Sequence, residues 1–378
     1  MKPVLFVTGH APFDRVGAFA RLHESEDVEF ALFGGRTQHG GIAGDEKLPF
    51  PHRSLRQREV AALAASGRHR AVVVSTGGRF ALPGAWAGAR RARVPLILWT
   101  SLWAHPRTAA HAVSYSALRR LYRSAEAVVT YGPHVSAYVR ARGAHNVHIA
   151  PQSVDNEFWA HPLTAPEAGQ PTAPGWPSET AVKFLFAGRP VREKGFGVLM
   201  EAWLDSGLVA PSAALVLVGV GSTPPWIPAG GAVGSEMVCL DPVPHVQLRS
   251  MYAAADVLVV PSIPTRTFRE PWGLVVNEAM NSNLPVIASD AVGAVAGGLV
   301  RHRHNGLVVP AGDPRALAHA LRQLAADTDL RARLGATGFS DVQAYTHDAW
   351  AQGFSRALSS LGLSRARDSL SSSRGGRW

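Results

Sequence analysis

Short runs of consecutive aliphatic, β-branched and aromatic residues alternate along this chain with longer stretches whose apolar positions recur at helical spacing. In the first half the apolar runs fall at 3–8, 28–33, 71–75, 95–100, 127–131 and 147–150, with helical stretches such as 57–66 and 113–123 between them. The runs are apolar at successive positions instead of every second one. That is the pattern of strands covered on both faces in a parallel sheet. Repeated strand–helix–strand units of this kind predict a doubly wound α/β domain.

The pattern breaks at 161–178, where Pro162, Pro166, Pro171, Pro174 and Pro177 stand close together. Proline has no N–H to give a ladder or a helix, so this stretch reads as a linker. A second series then begins, with runs at 182–187, 213–218, 237–240, 257–261, 285–288 and 307–309 and helices expected at 195–205, 246–254, 274–280 and 314–326. The expected organisation is a first domain over 1–160, the linker over 161–180 and a second domain over 181–345. Beyond it, Trp350, Phe354, Leu358 and Leu361 at helical spacing predict a last helix within 346–363, packing back on the first domain. The tail 364–378, mostly Ser, Arg and Gly, is expected to be disordered.

Composition supports this division. The chain has 378 residues, beyond the size at which a single core usually stops growing, and is 46% hydrophobic and 17% charged. Its one cysteine, Cys239, has no partner for an intramolecular disulfide, which fits a reducing, cytoplasmic setting. The first residues read as a buried strand instead of a signal peptide, and no run approaches the ~18 apolar residues that a membrane helix needs.

The formal charge of +10 is unevenly spread. Residues 1–165 hold 20 Lys and Arg against 11 Asp and Glu, whereas 166–378 hold 18 against 17. Most of the cations are arginines in clusters, as in Arg53/Arg56/Arg58, Arg90/Arg91/Arg93 and Arg119/Arg120/Arg123. Two readings stay open: ordinary solvated faces from an arginine-rich proteome, or a surface for an anionic acceptor or anionic inner-membrane face. The second would place the protein peripherally at the membrane. There is no nucleic-acid-binding motif and no interleaving of basic and aromatic residues, so a nucleic-acid partner is not expected.

The chemistry concentrates in the second half. In Phe184-Leu185-Phe186-Ala187-Gly188-Arg189-Pro190-Val191-Arg192-Glu193-Lys194-Gly195 a predicted strand ends at Gly188, and Arg189 and Lys194 follow on the loop entering the next helix. Two cations near a helix start suit an anion such as a diphosphate; alone they are equally a solvated basic loop. A second segment, Arg269-Glu270-Pro271-Trp272-Gly273-Leu274-Val275-Val276-Asn277-Glu278-Ala279-Met280, carries two glutamates eight apart. Pro271 and Gly273 keep Glu270 on the loop before a helix, and Glu278 is expected about two turns into that helix. The carboxylates then suit different parts of one extended ligand, Glu270 accepting from sugar hydroxyls and Glu278 from a ribose diol.

Together with Leu284-Pro285-Val286-Ile287-Ala288-Ser289-Asp290, Gly293 and Asn305-Gly306-Leu307-Val308-Val309, these segments resemble the retaining glycosyltransferases of family 4, the group 1 glycosyltransferases. The resemblance is close over about 184–325, and Gln152–Phe158 also looks like that family's interdomain segment. It implies a GT-B fold, two Rossmann-like doubly wound domains facing each other across a cleft, the first binding acceptor and the second a nucleotide-diphosphate sugar. Arg189 and Lys194 would hold the diphosphate and stabilise the departing charge, and Glu270 would contact the donor sugar. Gly188, Trp272, Gly273 and Leu274 would line the donor pocket, Gly219 and Gly221 a neighbouring loop, and Glu278 would meet the ribose. The implied reaction is metal-independent transfer of a hexose, with UDP-sugar the favoured donor, to a cell-surface glycan precursor, a lipid-linked sugar or a small metabolite. The leaving phosphate would help deprotonate the acceptor on the same face, retaining the anomeric configuration.

The first domain departs from the family pattern. Only Gly17 stands near the place of the usual Gly-Gly loop, and His105 is the nearest histidine to the usual one after a first-domain strand. Both remain acceptor-side candidates, while Trp86, Trp99 and Trp103 read as core aromatics. Asp327-Thr328-Asp329 has the form of a metal-binding DxD, but its place between two helices reads as an N-cap. No metal-ligand spacing occurs among the sixteen histidines, and no metal or cofactor beyond the donor substrate is expected. Alternatives to a transferase are a GT-B sugar-nucleotide epimerase and a non-catalytic protein that binds a sugar nucleotide.

Overall fold

The structure, a computed structural model, describes residues 1–34, 48–160, 176–177, 182–221 and 237–365. The proline-rich linker, apart from Trp176 and Pro177, lies outside the described residues, as does the tail from 366 on. The chain forms two compact units, Met1–Asp155 with the residues from Tyr345 onward, and Asn156–Ala344.

The first unit is a parallel seven-stranded sheet: β1 Val4–Thr8, β2 Val28–Leu32, β3 His52–Ser54, β4 Ala71–Ser75, β5 Leu96–Thr100, β6 Ala127–Thr130 and β7 Val147–Ile149. Their spatial order is β3-β2-β1-β4-β5-β6-β7. The continuous apolar runs have the expected cause. In β1, Val4 and Phe6 join one core while Leu5 and Val7 join another, because successive side chains point to opposite faces. The strand β3 has no counterpart among the apolar runs. It is an exposed edge strand of His, Arg and Ser, held by its ladder to β2, and so carries no hydrophobic signal.

The helix His347–Ser360 belongs to this first unit. Trp350 and Phe354 are fully buried against Phe6, with the two phenyl centroids 5.4 Å apart. Thr346 caps the helix by accepting from the Ala349 N–H at 3.0 Å. Just beyond it, the Ser364 hydroxyl donates to buried Glu26 at 2.7 Å, and the same carboxylate accepts from the Arg365 N–H at 3.0 Å. Disorder was expected from 364 on; these two residues are instead tied down, because Glu26 and Arg70 form a buried pair that takes Ser364 as a further partner.

The second unit is a parallel six-stranded sheet ordered β10-β9-β8-β11-β12-β13, formed by β8 Val182–Ala187, β9 Ala213–Val218, β10 Met237–Leu240, β11 Val257–Val260, β12 Val286–Ser289 and β13 Gly306–Val309. In both sheets the chain reverses its direction of travel once, between β1 and β4 in the first and between β8 and β11 in the second. Such a switch point opens a crevice at the carboxyl ends of the two strands, where doubly wound domains take their ligands.

Among the described residues no helix is long and apolar enough to cross a membrane. Arg119, Arg120 and Arg123 lie on the exposed side of the helix Ala109–Ser124. Asp327 is an N-cap: its carboxylate accepts from the Leu330 N–H at 2.8 Å, at the start of the helix Thr328–Val342.

Candidate functional site

The adjacency of β8 and β11 brings the two motifs together. The loop leaving β8 tightens into a turn over Arg192–Lys194 and ends at Gly195, whose φ of +70° is left-handed. A Cβ there would stand 1.8 Å from the Pro261 carbonyl oxygen, so only glycine lets the loops after β8 and β11 approach this closely. The Ile263 N–H closes the contact by donating to the Glu193 carbonyl at 3.0 Å.

Across this contact Lys194 Nζ donates to Glu270 Oε2 at 2.6 Å. Glu270 is buried, and Ser262 Oγ reaches the same oxygen at 3.4 Å. Ser262 is itself positioned from β12, through the hydroxyl of Ser289 donating to its carbonyl. A cation and a carboxylate from separate motifs therefore share one spot at the sheet's switch point. Arg189 stands apart from them; it is exposed and forms no side-chain hydrogen bond or ion pair among the described residues.

The segment after Glu270 is anchored by Trp272, whose buried indole donates from Nε1 to Asn277 Oδ1 at 2.7 Å. Its carbonyl accepts from the Ala294 N–H at 2.8 Å, and a Cβ at Gly293 would come within 2.0 Å of the Pro271 carbonyl oxygen. The Trp272 side chain thus pins the loop from beneath.

Gly273 follows at φ +89°, and the helix Val275–Asn281 starts only after Leu274, its N-cap. Glu278 consequently lies in the first turn, not two turns in, since the four residues from Val275 complete only about one turn. Glu278 is buried and accepts from the Tyr252 hydroxyl at 2.7 Å. Just past the C-cap Ser282, Asn283 at φ +59° takes the place glycine often holds.

The loop after β9 completes the rim. The N–H groups of Gly219, Val220 and Gly221 all point at the Leu240 carbonyl, and the Gly188 N–H donates to the Val218 carbonyl at 2.9 Å. Gly219, at φ +87°, lies so close to Gly188 that a Cβ would meet the Gly188 carbonyl oxygen at 3.0 Å.

In the first unit the two acceptor-side candidates have structural surroundings. Gly17 lies inside the helix Phe13–Glu26, where a Cβ would stand 2.4 Å from the His347 ring. His105 has both ring nitrogens engaged, Nε2 with the His111 carbonyl at 2.8 Å and Nδ1 with the Tyr138 hydroxyl at 3.4 Å. The switch point of this unit is flanked instead by Gly9–Pro12 after β1 and by Thr76-Gly77-Gly78 after β4, with Gly78 at φ +87°. That glycine pair stands one residue beyond the apolar run 71–75. Nearby, Arg15 is buried, donates to Gln152 and sits 5.8 Å from the Tyr131 ring centroid.

Residues 181–327 match the family model described as glycosyl transferases group 1. This part of the chain is a group 1 glycosyltransferase domain. The group 1 domain holds Lys194, Glu270 and Glu278 alike. Among curated relatives, a D-inositol 3-phosphate glycosyltransferase of Xylanimonas cellulosilytica is 31% identical over 240 residues, 58% of this chain and 54% of the relative. A Streptomyces coelicolor protein of the same name is 38% identical over 111 residues, 29% of this chain and 22% of the relative. The chain thus spans about half the length, or less, of these relatives.

Among solved structures, Anabaena HepE in complex with UDP and glucose superposes with a TM-score of 0.74 at 17% identity, covering 95% of this chain and 100% of that one. Sucrose-phosphate synthase of Thermosynechococcus elongatus gives 0.70 at 21% identity, covering 96% and 99%. At these identities the likeness concerns the fold, and the two parallel sheets with their helices form a GT-B architecture.

Proposed function

We propose that the protein transfers a sugar from a nucleotide-diphosphate sugar, with UDP-sugar the favoured donor, to an acceptor held by the first unit. The observation that carries this reading is the convergence of Lys194, Glu270 and Ser262 at the switch point of the group 1 domain, with Glu278 in the adjoining helix turn. Such a point suits a nucleotide, and the solved relatives carrying UDP or UDP-glucose support the choice of donor.

In this reading Lys194 and exposed Arg189 meet the diphosphate, and Glu270 exchanges part of its pairing with Lys194 for the sugar hydroxyls. Cations fixed where the leaving diphosphate gains charge lower the barrier, usually a large share of catalysis. Leaving-group oxygen and acceptor then act on one face of the sugar, which gives retention. The transferred sugar is a hexose in this reading, and Lys194 and Arg189 supply at the diphosphate the positive charge that a metal would otherwise bring. The name of the curated relatives makes a phosphorylated polyol one acceptor class, alongside glycan precursors and lipid-linked sugars. The arginine excess of residues 1–165 supports an acidic acceptor or an anionic membrane surface.

The test is a screen of UDP-, GDP-, ADP- and dTDP-sugars for thermal stabilisation, followed by donor hydrolysis and transfer with and without EDTA. Stabilisation by a UDP-sugar with EDTA-resistant turnover is the expected result. Stabilisation without turnover across acceptors favours a binding protein, and interconversion of the free sugar nucleotide an epimerase.

A further inference from the structure

We propose that Tyr252 is a positioning residue for nucleoside recognition: its hydroxyl orients the Glu278 carboxylate so that this carboxylate reads the ribose of the donor. The inference rests on the donor-site reading above and adds to it a residue from a separate part of the chain.

Tyr252 lies on the helix His245–Ala254, outside both motifs, and is fully buried. Its ring is fixed by edge-on packing on Trp159, with centroids 5.6 Å apart. From there its hydroxyl donates to Glu278 Oε2 at 2.7 Å, in the first turn of the helix Val275–Asn281. The last torsion of a glutamate is broad and roughly two-fold, so the backbone alone does not set the plane of its carboxylate. A short hydrogen bond from a rigid, packed phenol does set it. Recognition of a diol needs such fixing, since each hydroxyl must find an oxygen at a set place and angle.

A purely structural role predicts something different. A buried phenol also needs a partner for its own sake, and its loss would then weaken the domain without changing which nucleoside is preferred. The two roles separate by comparing a nucleoside diphosphate with its 2′-deoxy counterpart.

The experiment measures binding to the full chain by calorimetry, using whichever of UDP, GDP and ADP binds the wild type, with the matching 2′-deoxy nucleotide. The wild type is expected to prefer the ribonucleotide roughly tenfold, the size of one hydrogen bond to a charged group. Tyr252→Phe is expected to cut that preference at least threefold, while affinity for the 2′-deoxy nucleotide changes less than twofold. Replacing Tyr252 with 4-aminophenylalanine, which keeps an N–H donor at the end of the same ring, is expected to restore part of the preference. It also serves as the readout should the Phe variant not fold. Equal weakening of both nucleotides, or no change in either, overturns the proposal in favour of packing. A wild type that binds both nucleotides alike overturns it while leaving the donor site intact. A wild type that binds none of the three removes the donor-site reading itself.

Discussion

Lys194 and Glu270 lie 76 positions apart in sequence and 2.6 Å apart in space, the carboxylate buried and the ammonium only partly exposed. A paired, partly desolvated charge becomes costly when its partner is removed. The double variant is therefore expected to lose less stability than the summed losses of Lys194→Ala and Glu270→Ala. The expected coupling is about 1–3 kcal/mol in a denaturation cycle. Both single variants are expected to lose sugar transfer. Additive stabilities would mean the pair does not form.

Arg189 offers the opposite case, an exposed cation at the same loop with no partner among the described residues. Arg189→Ala should leave the stability unchanged within the ~0.5 kcal/mol scatter of surface substitutions. Transfer should fall by roughly 10²-fold or more, as when one stabilising donor is removed from a leaving group. Steady-state kinetics beside a thermal melt checks both halves, and unchanged kcat/KM would remove Arg189 from the site.

Two glycines two positions apart should respond in opposite directions. Gly195→Ala places a methyl against the Pro261 carbonyl at a left-handed position, and more than ~3 kcal/mol of stability is expected to be lost. Gly197 lies in the helix Phe196–Ser206 with open space around it, so Gly197→Ala should gain about 0.5–1 kcal/mol. Chemical denaturation of the two variants side by side decides it.

Burial holds the His347 imidazole below its ordinary 6.5, with Asp155 opposing, Arg15 reinforcing and Asp14 and Asp348 again opposing. Its Nδ1 faces the Ser153 hydroxyl at 3.2 Å. The unfolded chain then takes up a proton at higher pH than the folded one. The stability tied to neutral His347 is present above about pH 6.5 and is lost as pH falls through that value toward the lower folded one. Denaturation at pH 7.5, 6.5 and 5.5 should show this decline, and His347→Gln should make it shallower. An unchanged slope would mean that His347 is not held neutral by the fold.

Much of the architecture was legible because burial on both faces leaves an uninterrupted apolar run. The strands Ala71–Ser75, Val182–Ala187, Ala213–Val218 and Met237–Leu240 coincide with such runs to the residue. The strand His52–Ser54 was not legible, since an exposed edge needs only backbone pairing. The depth of Glu278 was set by the place where the first turn closes, after the cap at Leu274, which local pattern alone does not fix.

The sequence by itself determined the two α/β series, the group 1 resemblance and the identity of Arg189, Lys194, Glu270 and Glu278 as candidates. Those are properties of local pattern and spacing. Only the tertiary structure decided that Lys194 and Glu270 pair, that Trp272 serves as an anchor, and that Tyr252 reaches Glu278 from another helix. Only it decided, too, that Gly17 packs on His347 and that His105 has both nitrogens occupied. The reason is common to all of these. Each is a contact between segments distant in the chain, set by which strands lie side by side, and strand order leaves no mark on local composition.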